Sequence, residues 1–187
     1  MPAYAYVLIV VGLVIWFYPF IGAHRTTAPA IIVDRQSRWG VLLQFVAFSL
    51  LWQGLLWQGH FWMRLLPFWR IAVSAFLFSL ACLLSWTSSR ALAGQLRVDA
   101  ALGREHKLVR SGPFALVRNP IYTSMLLVLG AIAVIITGWK IFVAALALFF
   151  VGTEIRVRAE ERLLASHFGE EFQNYKRTVP AYIPFLK

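Results

Sequence analysis

The sequence predicts an all-α integral membrane protein: five transmembrane helices, a cytoplasmic connector, and a C-terminal amphipathic helix that completes a site. Three observations carry this. The 187 residues are 60% hydrophobic and 14% charged, with a mean hydropathy of +0.69, outside the range of ordinary soluble domains. Five apolar runs approach or reach the roughly 20 residues that a spanning helix needs. The basic residues also gather on one side of the arrangement that those runs define.

The first run is Ala3–Ile21. No Lys or Arg precedes it, so the basic n-region of a cleaved signal is missing and a retained span is expected. Trp39–Trp57 and Phe68–Trp86 follow, completing a three-span N-terminal membrane region over residues 1–88 with little reactive chemistry. The single cysteine, Cys82, lies inside the third run, which rules out an intrachain disulfide and reads as a small packing residue. Residues 89–119 form a polar connector, long enough to expect a function of its own. The fourth and fifth runs, Ile121–Thr137 and Ile141–Ile155, are separated only by Gly138-Trp139-Lys140, a spacing that implies an antiparallel hairpin. Leu164, Phe168, Phe172 and Tyr175 then recur at helical spacing opposite a charged face. They predict an amphipathic helix against the membrane or over the connector, broken near Gly169 and ended by Pro180 and Pro184. Connector, hairpin and tail, residues 89–187, read as one integrated unit.

With five spans, residues 22–38, 87–120 and 156–187 share one side and hold 15 of the 18 basic residues; Arg64, Arg70 and Lys140 lie opposite. The positive-inside rule places the N-terminus outside and the connector and tail in the cytoplasm. The +10 net charge thus reads as topology plus attraction to anionic membrane lipids, not as nucleic-acid binding.

The chemistry concentrates in the stretch from His106 to Tyr122 and in a second cluster after the fifth run. Asn119-Pro120 is a helix start, since Asn is a favoured N-cap and Pro suits the first helical position. The same geometry offers N–H groups to a carboxylate or phosphate, with Arg118 beside it. Tyr122, one turn in, supplies a hydroxyl and a ring face against which a sulfonium cation can rest. In the second cluster, Glu154/Arg158 and Arg156/Glu160 are i,i+4 pairs that support a helix; ionisable groups at the end of a span are also commonly functional. No metal site is expected, because His24, His60, His106 and His167 are scattered. Neither GxGxxG nor a Walker element occurs, which excludes a soluble nucleotide-binding domain of those kinds.

Taken together, the motifs resemble the isoprenylcysteine carboxyl methyltransferase family. They run His106-x-Leu108-Val109-x-Ser111-Gly112-x-Phe114, Arg118-Asn119-Pro120-x-Tyr122, Arg156-x-x-x-Glu160-Glu161, Phe168-Gly169-Glu170-Glu171-Phe172-x-x-Tyr175 and Pro180-x-x-x-Pro184. The resemblance covers the C-terminal half, and it is specific through the combination. It implies an integral-membrane methyltransferase that uses S-adenosylmethionine without a Rossmann domain. It further implies that His106, Lys107, Leu108, Val109, Phe114, Asn119, Pro120, Ile121, Tyr122 and Glu160 bind the cofactor. By the same resemblance Arg156 and Glu161 act at the lipophilic acceptor. Asn119 stands where the family usually has His; Asn still donates to a carboxylate but carries no proton near neutral pH.

The implied chemistry suits the interface, where a polar cofactor arrives from the cytosol and an apolar acceptor from the bilayer. A carboxylate acceptor needs Arg156 to orient it, whereas an amine acceptor needs Glu161 as base. The archetypal acceptor is the α-carboxylate of an isoprenylated cysteine, with a phospholipid amine or another small lipophile as alternatives. An NADPH-dependent membrane reductase shares an Arg-x-Pro-x-Tyr element; the Glu160-Glu161 tail argues against it. A non-enzymatic protein that retains the fold is the third possibility.

Overall fold

The computed structural model describes residues 3–23, 32–33, 36–53, 65–92, 101–102 and 108–182. The helices are α1 (Ala3–Ala23), α2 (Ser37–Leu51), α3 (Phe68–Leu92), α4 (Pro120–Ile136), α5 (Trp139–Phe168) and α6 (Glu170–Thr178). A 3-10 turn, Gly112–Ala115, precedes α4. The only strands among the described residues are two of two residues each: β1 (Ile32–Val33) pairs antiparallel with β2 (Ala101–Leu102) of the connector.

Among the described residues, two helices are long and apolar enough to cross a bilayer, α1 over Ala3–Ile21 and α3 over Phe68–Leu92. The apolar helices α2 and α4 are shorter, at 15 and 17 residues. The helix α2 ends at Leu51, residues 54–57 of the run expected to reach Trp57 lie outside the described residues, and the third run extends past Trp86 to Leu92. The fifth run does not stop at Ile155: α5, 30 residues in all, continues to Phe168 and carries the charged tail cluster on the same rod. Hydropathy falls after Ile155, but Glu154/Arg158 and Arg156/Glu160 keep the helix going as i,i+4 pairs. It breaks at Gly169, whose φ of +51° suits a residue without Cβ.

In the hairpin, α4 packs mainly on α3 and α5 mainly on α2, with slight contact between α4 and α5 themselves. One apolar core links α1, α2, α3, α4 and the first half of α5 through residues such as Ile9, Leu51, Phe78, Leu129, Ile132 and Phe149. Side-chain hydrogen bonds tie its helices together. Pro19 inside α1 has no N–H, so the Ile15 carbonyl lacks its helical donor. Trp86 Nε1 supplies one at 3.0 Å. Trp16 Nε1 reaches Ser124 Oγ on α4 at 3.1 Å, and Gln44 Nε2 on α2 reaches Thr153 Oγ1 on α5 at 2.8 Å. Thr137 Oγ1 donates to the Leu51 carbonyl at 3.1 Å, closing the end of α2.

Candidate functional site

The last residues of the connector are shaped by their turn chemistry. Gly112 adopts φ +61°, Pro113 and Val117 are buried, and Leu108, Val109 and Phe114 are half-buried. The chain then enters α4 with Asn119 at the N-cap position and Pro120 as the first helical residue, the start expected from this pair. The Asn119 side chain does not cap the helix; its Nδ2 donates to the Ala181 carbonyl at 3.2 Å.

That contact belongs to a strap formed by residues 179–182 after α6. The Arg118 and Asn119 N–H groups donate to the Pro180 and Ala181 carbonyls at 2.8 and 3.1 Å, and Thr123 Oγ1 donates to the Tyr182 carbonyl at 2.9 Å. Arg118 fastens the strap from below. Its Nη1 donates to the Lys176 and Val179 carbonyls at 2.9 and 2.6 Å, and its Nη2 and Nε both reach Glu161 Oε1, at 2.9 and 3.2 Å. Lys176 Nζ holds the other Glu161 oxygen at 2.6 Å. The Arg118 and Glu161 side chains are only 11% and 14% exposed, so this is a desolvated, multiply bonded pair. Tyr182 OH donates to Glu154 Oε2 at 3.0 Å, and burial pushes its phenol upward, with Glu154 adding to the shift.

The tail helix α6 lies over the connector, one of its two anticipated placements. Phe172 and Tyr175 are buried, Tyr175 OH donates to the Phe114 carbonyl at 2.6 Å, and Arg110 pairs with Glu171 at 2.8 Å. Burial pushes the Tyr175 phenol up to about 12.

At the centre stands a three-residue cluster. Tyr122 OH donates to Glu160 Oε1 and accepts from Arg156 Nε, the latter at 2.7 Å. The Arg156 guanidinium lies 5.3 Å from the Tyr122 ring centroid, and its Nη2 is 3.7 Å from Glu160 Oε1. Arg156 is 9% exposed, whereas the Glu160 side chain keeps 31% of its surface open. Burial pushes the Glu160 carboxyl above the usual carboxylate range; Arg156 and the Tyr122 hydrogen bond pull it back, and Glu161 adds to the rise.

The structure therefore brings Tyr122, Arg156 and Glu160 together; Asn119, Pro120 and Ile121 precede Tyr122 at the start of α4, with Asn119 turned to the strap, and Leu108, Val109 and Phe114 lie on the connector before them. His106 and Lys107 lie outside the described residues. Glu161, expected beside Arg156, turns instead to Arg118 and Lys176. Arg118, anticipated as an anion partner, spends its guanidinium on the tail, and one approach to the Tyr122 ring carries Arg156. Sequence reasoning missed Lys176, Tyr182 and the strap carbonyls. Only Tyr182 had a visible signal, as a polar aromatic in the apolar end of the tail.

Such a bundle, with two helices of membrane-spanning length and a polar cluster joining α4 and α5, points to the class of helical membrane proteins. A sequence model described as phospholipid methyltransferase matches residues 69–171, more than half of the chain. The chain belongs to this family of membrane methyltransferases, part of the superfamily of the isoprenylcysteine carboxyl methyltransferases. It is 34% identical to the cobalt-zinc-cadmium resistance protein CzcN of Cupriavidus metallidurans, over 63% of this chain and 62% of that protein. It is 32% identical to the nickel-cobalt-cadmium resistance protein NccN of Alcaligenes xylosoxydans xylosoxydans, over 63% of each. The chain thus spans less than two thirds of the length of these curated relatives.

Proposed function

We propose that this protein transfers a methyl group from S-adenosylmethionine to a lipophilic acceptor at the membrane–cytosol interface. The observation that carries the reading is the Tyr122–Arg156–Glu160 cluster, assembled from both motif regions within a chain of this family. The donor set fits the cofactor. Glu160 Oε1 is engaged by Tyr122 and Arg156, while Oε2 is in neither bond and can accept from a hydroxyl or an ammonium. Half-buried Leu108, Val109 and Phe114 offer apolar surface for a base.

When bound, S-adenosylmethionine supplies an activated methyl group. The chain's own residues then bind, align and exclude water. Leu108, Val109, Phe114, Asn119, Pro120, Ile121, Tyr122 and Glu160, together with His106 and Lys107, hold the cofactor side. Arg156 holds the acceptor, directly orienting a carboxylate such as that of an isoprenylated cysteine, which is already nucleophilic at neutral pH. Glu161 acts through Arg118, fixing the strap, and is a positioning residue.

The family description favours a second acceptor, a phospholipid amine. That nitrogen must lose a proton, and Glu160 Oε2 is the acceptor the cluster offers, because both Glu161 oxygens are engaged. The names of the two relatives speak of metal resistance, and that is said of those proteins alone.

In the proposed topology all five apolar helices span, with the N-terminus outside, the site cytoplasmic, and residues 1–88 serving as membrane scaffold for the unit 89–187. Titration of the purified chain with S-adenosylhomocysteine and with NADPH tests the cofactor. Radiolabelled methyl transfer to N-acetyl-S-farnesylcysteine and to phosphatidylethanolamine vesicles tests the acceptor. Binding of S-adenosylhomocysteine alone and labelling of one acceptor are expected. Binding of NADPH alone would overturn the reading. Tyr122→Phe, which removes the bridging hydroxyl, is expected to weaken cofactor binding by about 1–3 kcal/mol, roughly 5- to 150-fold.

A further inference from the structure

The first turn of α2 contributes to the Arg156 geometry. A Cβ on Gly40 would lie 2.5 Å from Arg156 Cγ, 3.4 Å from its Cδ and 2.4 Å from the Gly152 carbonyl oxygen. The Arg156 stem therefore runs through the space that any side chain at position 40 would fill. On either side the antiparallel crossing is fixed in register. Arg162 Nη2 on α5 reaches Gln36 Oε1 at 3.2 Å, one turn before Gly40, and Gln44 Nε2 reaches Thr153 Oγ1 at 2.8 Å, one turn after it. Beyond its stem, Arg156 arrives at Tyr122 OH and Glu160. Gly152 lies in the same crossing, yet a Cβ there would have as its three nearest atoms the Gly40 oxygen, Leu43 Cβ and the Gln44 nitrogen, all of them on α2.

We infer that Gly40 is a positioning residue for the reaction: lacking a side chain, it gives Arg156 the path along α2 that sets its guanidinium against Tyr122 and Glu160. This rests on the acceptor-end role proposed for Arg156. It gives α2, which reads in the sequence as topology alone, a part in aiming the site.

The test uses the whole chain in detergent micelles, with Gly40→Ala, Gly152→Ala, Arg156→Ala and the double variant Gly40→Ala/Arg156→Ala. Three quantities are read: monodispersity with the thermal midpoint, the Arg156 Nε–Hε NMR signal assigned by its loss in Arg156→Lys, and methyl transfer to N-acetyl-S-farnesylcysteine and to phosphatidylethanolamine vesicles. Gly40→Ala is expected to shift or abolish the Arg156 signal and to lower kcat at least tenfold, with S-adenosylhomocysteine affinity within threefold. Gly152→Ala is expected to lower the midpoint while keeping the signal and a kcat within threefold. An unchanged signal in Gly40→Ala, or the same loss of signal in Gly152→Ala, would overturn the inference. If Gly40→Ala does not fold, the double variant decides. Recovery of a folded chain identifies the Arg156 stem as the clashing partner, and continued unfolding rejects it. Should the wild type label neither acceptor while the signal responds as expected, the methyl-transfer reading falls and the placement of Arg156 by Gly40 stands. Normal turnover in Arg156→Ala would end the proposed role of Gly40 in the reaction.

Discussion

Two seams hold the candidate site, and they are built on opposite principles. The seam between tail and connector is made of donors and acceptors: Arg118 alone reaches Glu161, the Lys176 carbonyl and the Val179 carbonyl. The seam between α2 and α5 is made of close approach, with Gly40 and Gly152 facing each other's backbone and one buried amide–hydroxyl bond beside them. The first seam lies among polar residues, where charge-assisted bonds give direction. The second runs between apolar helices, where packing and small residues replace a hydrophobic drive. One side of the site is therefore fixed by atoms that are present, and the other by atoms that are missing.

The contrast predicts where damage concentrates. Arg118→Ala is expected to have the largest effect, about 3–5 kcal/mol, because it leaves the poorly exposed Glu161 with Lys176 alone and takes the side-chain donor from the Lys176 carbonyl of α6 and the Val179 carbonyl of the strap. Denaturant titration in micelles and protease cleavage after α6 measure it. A loss below about 1 kcal/mol would show that the strap is held by its backbone bonds alone. Removing both Arg118 and Glu161 should cost less than the sum of the single losses, through their shared bonds. Gln44→Leu comes next, at about 0.5–2 kcal/mol, with Gln44→Leu/Thr153→Val closer to wild type than the single variants predict. Strict additivity there would mean that the amide and the hydroxyl do not act as a pair.

Tyr175→Phe should cost about 1 kcal/mol by removing one hydrogen bond to Phe114. Its pH behaviour sharpens the point. The folded phenol titrates at about 12, above its ordinary value, so the stability it contributes is fully present below about pH 10. That contribution is lost as the pH rises through about 12, and Tyr175→Phe should remove this part of the alkaline loss. At the bottom of the scale, Arg110→Ala breaks an ion pair whose side chains are half exposed and should change stability by less than about 0.5 kcal/mol.

The same contrast explains what the sequence reveals. The start of α4 is legible because Asn119 and Pro120 have strong positional preferences, and the tail helix because Phe172 and Tyr175 keep helical spacing. The meeting of Tyr122 with Glu160 follows from motifs that bracket one pair of helices. The strap is not legible, since main-chain carbonyls such as those of Pro180 and Ala181 accept hydrogen bonds whatever residue bears them. Gly40 is equally silent: one glycine in an apolar run says nothing about which helix approaches it. The extent of α5 is hidden for a third reason, because hydropathy marks where apolar surroundings end and not where a helix ends.

In the proposed topology that uninterrupted helix would tie the bilayer mechanically to the candidate site. Trp139 and Arg156 belong to one rod without a Pro or a break between them, separated by about 25 Å at 1.5 Å per residue. A tilt of about 10° pivoting at Trp139 would carry the Arg156 backbone sideways by roughly 4 Å, more than a hydrogen-bond length. Arg156 and Glu160 therefore cannot be re-aimed apart from the apolar half of their own helix. In the proposed five-span topology the thickness of the surrounding lipid, which sets helix tilt, would thereby be a setting of the site as well as its solvent.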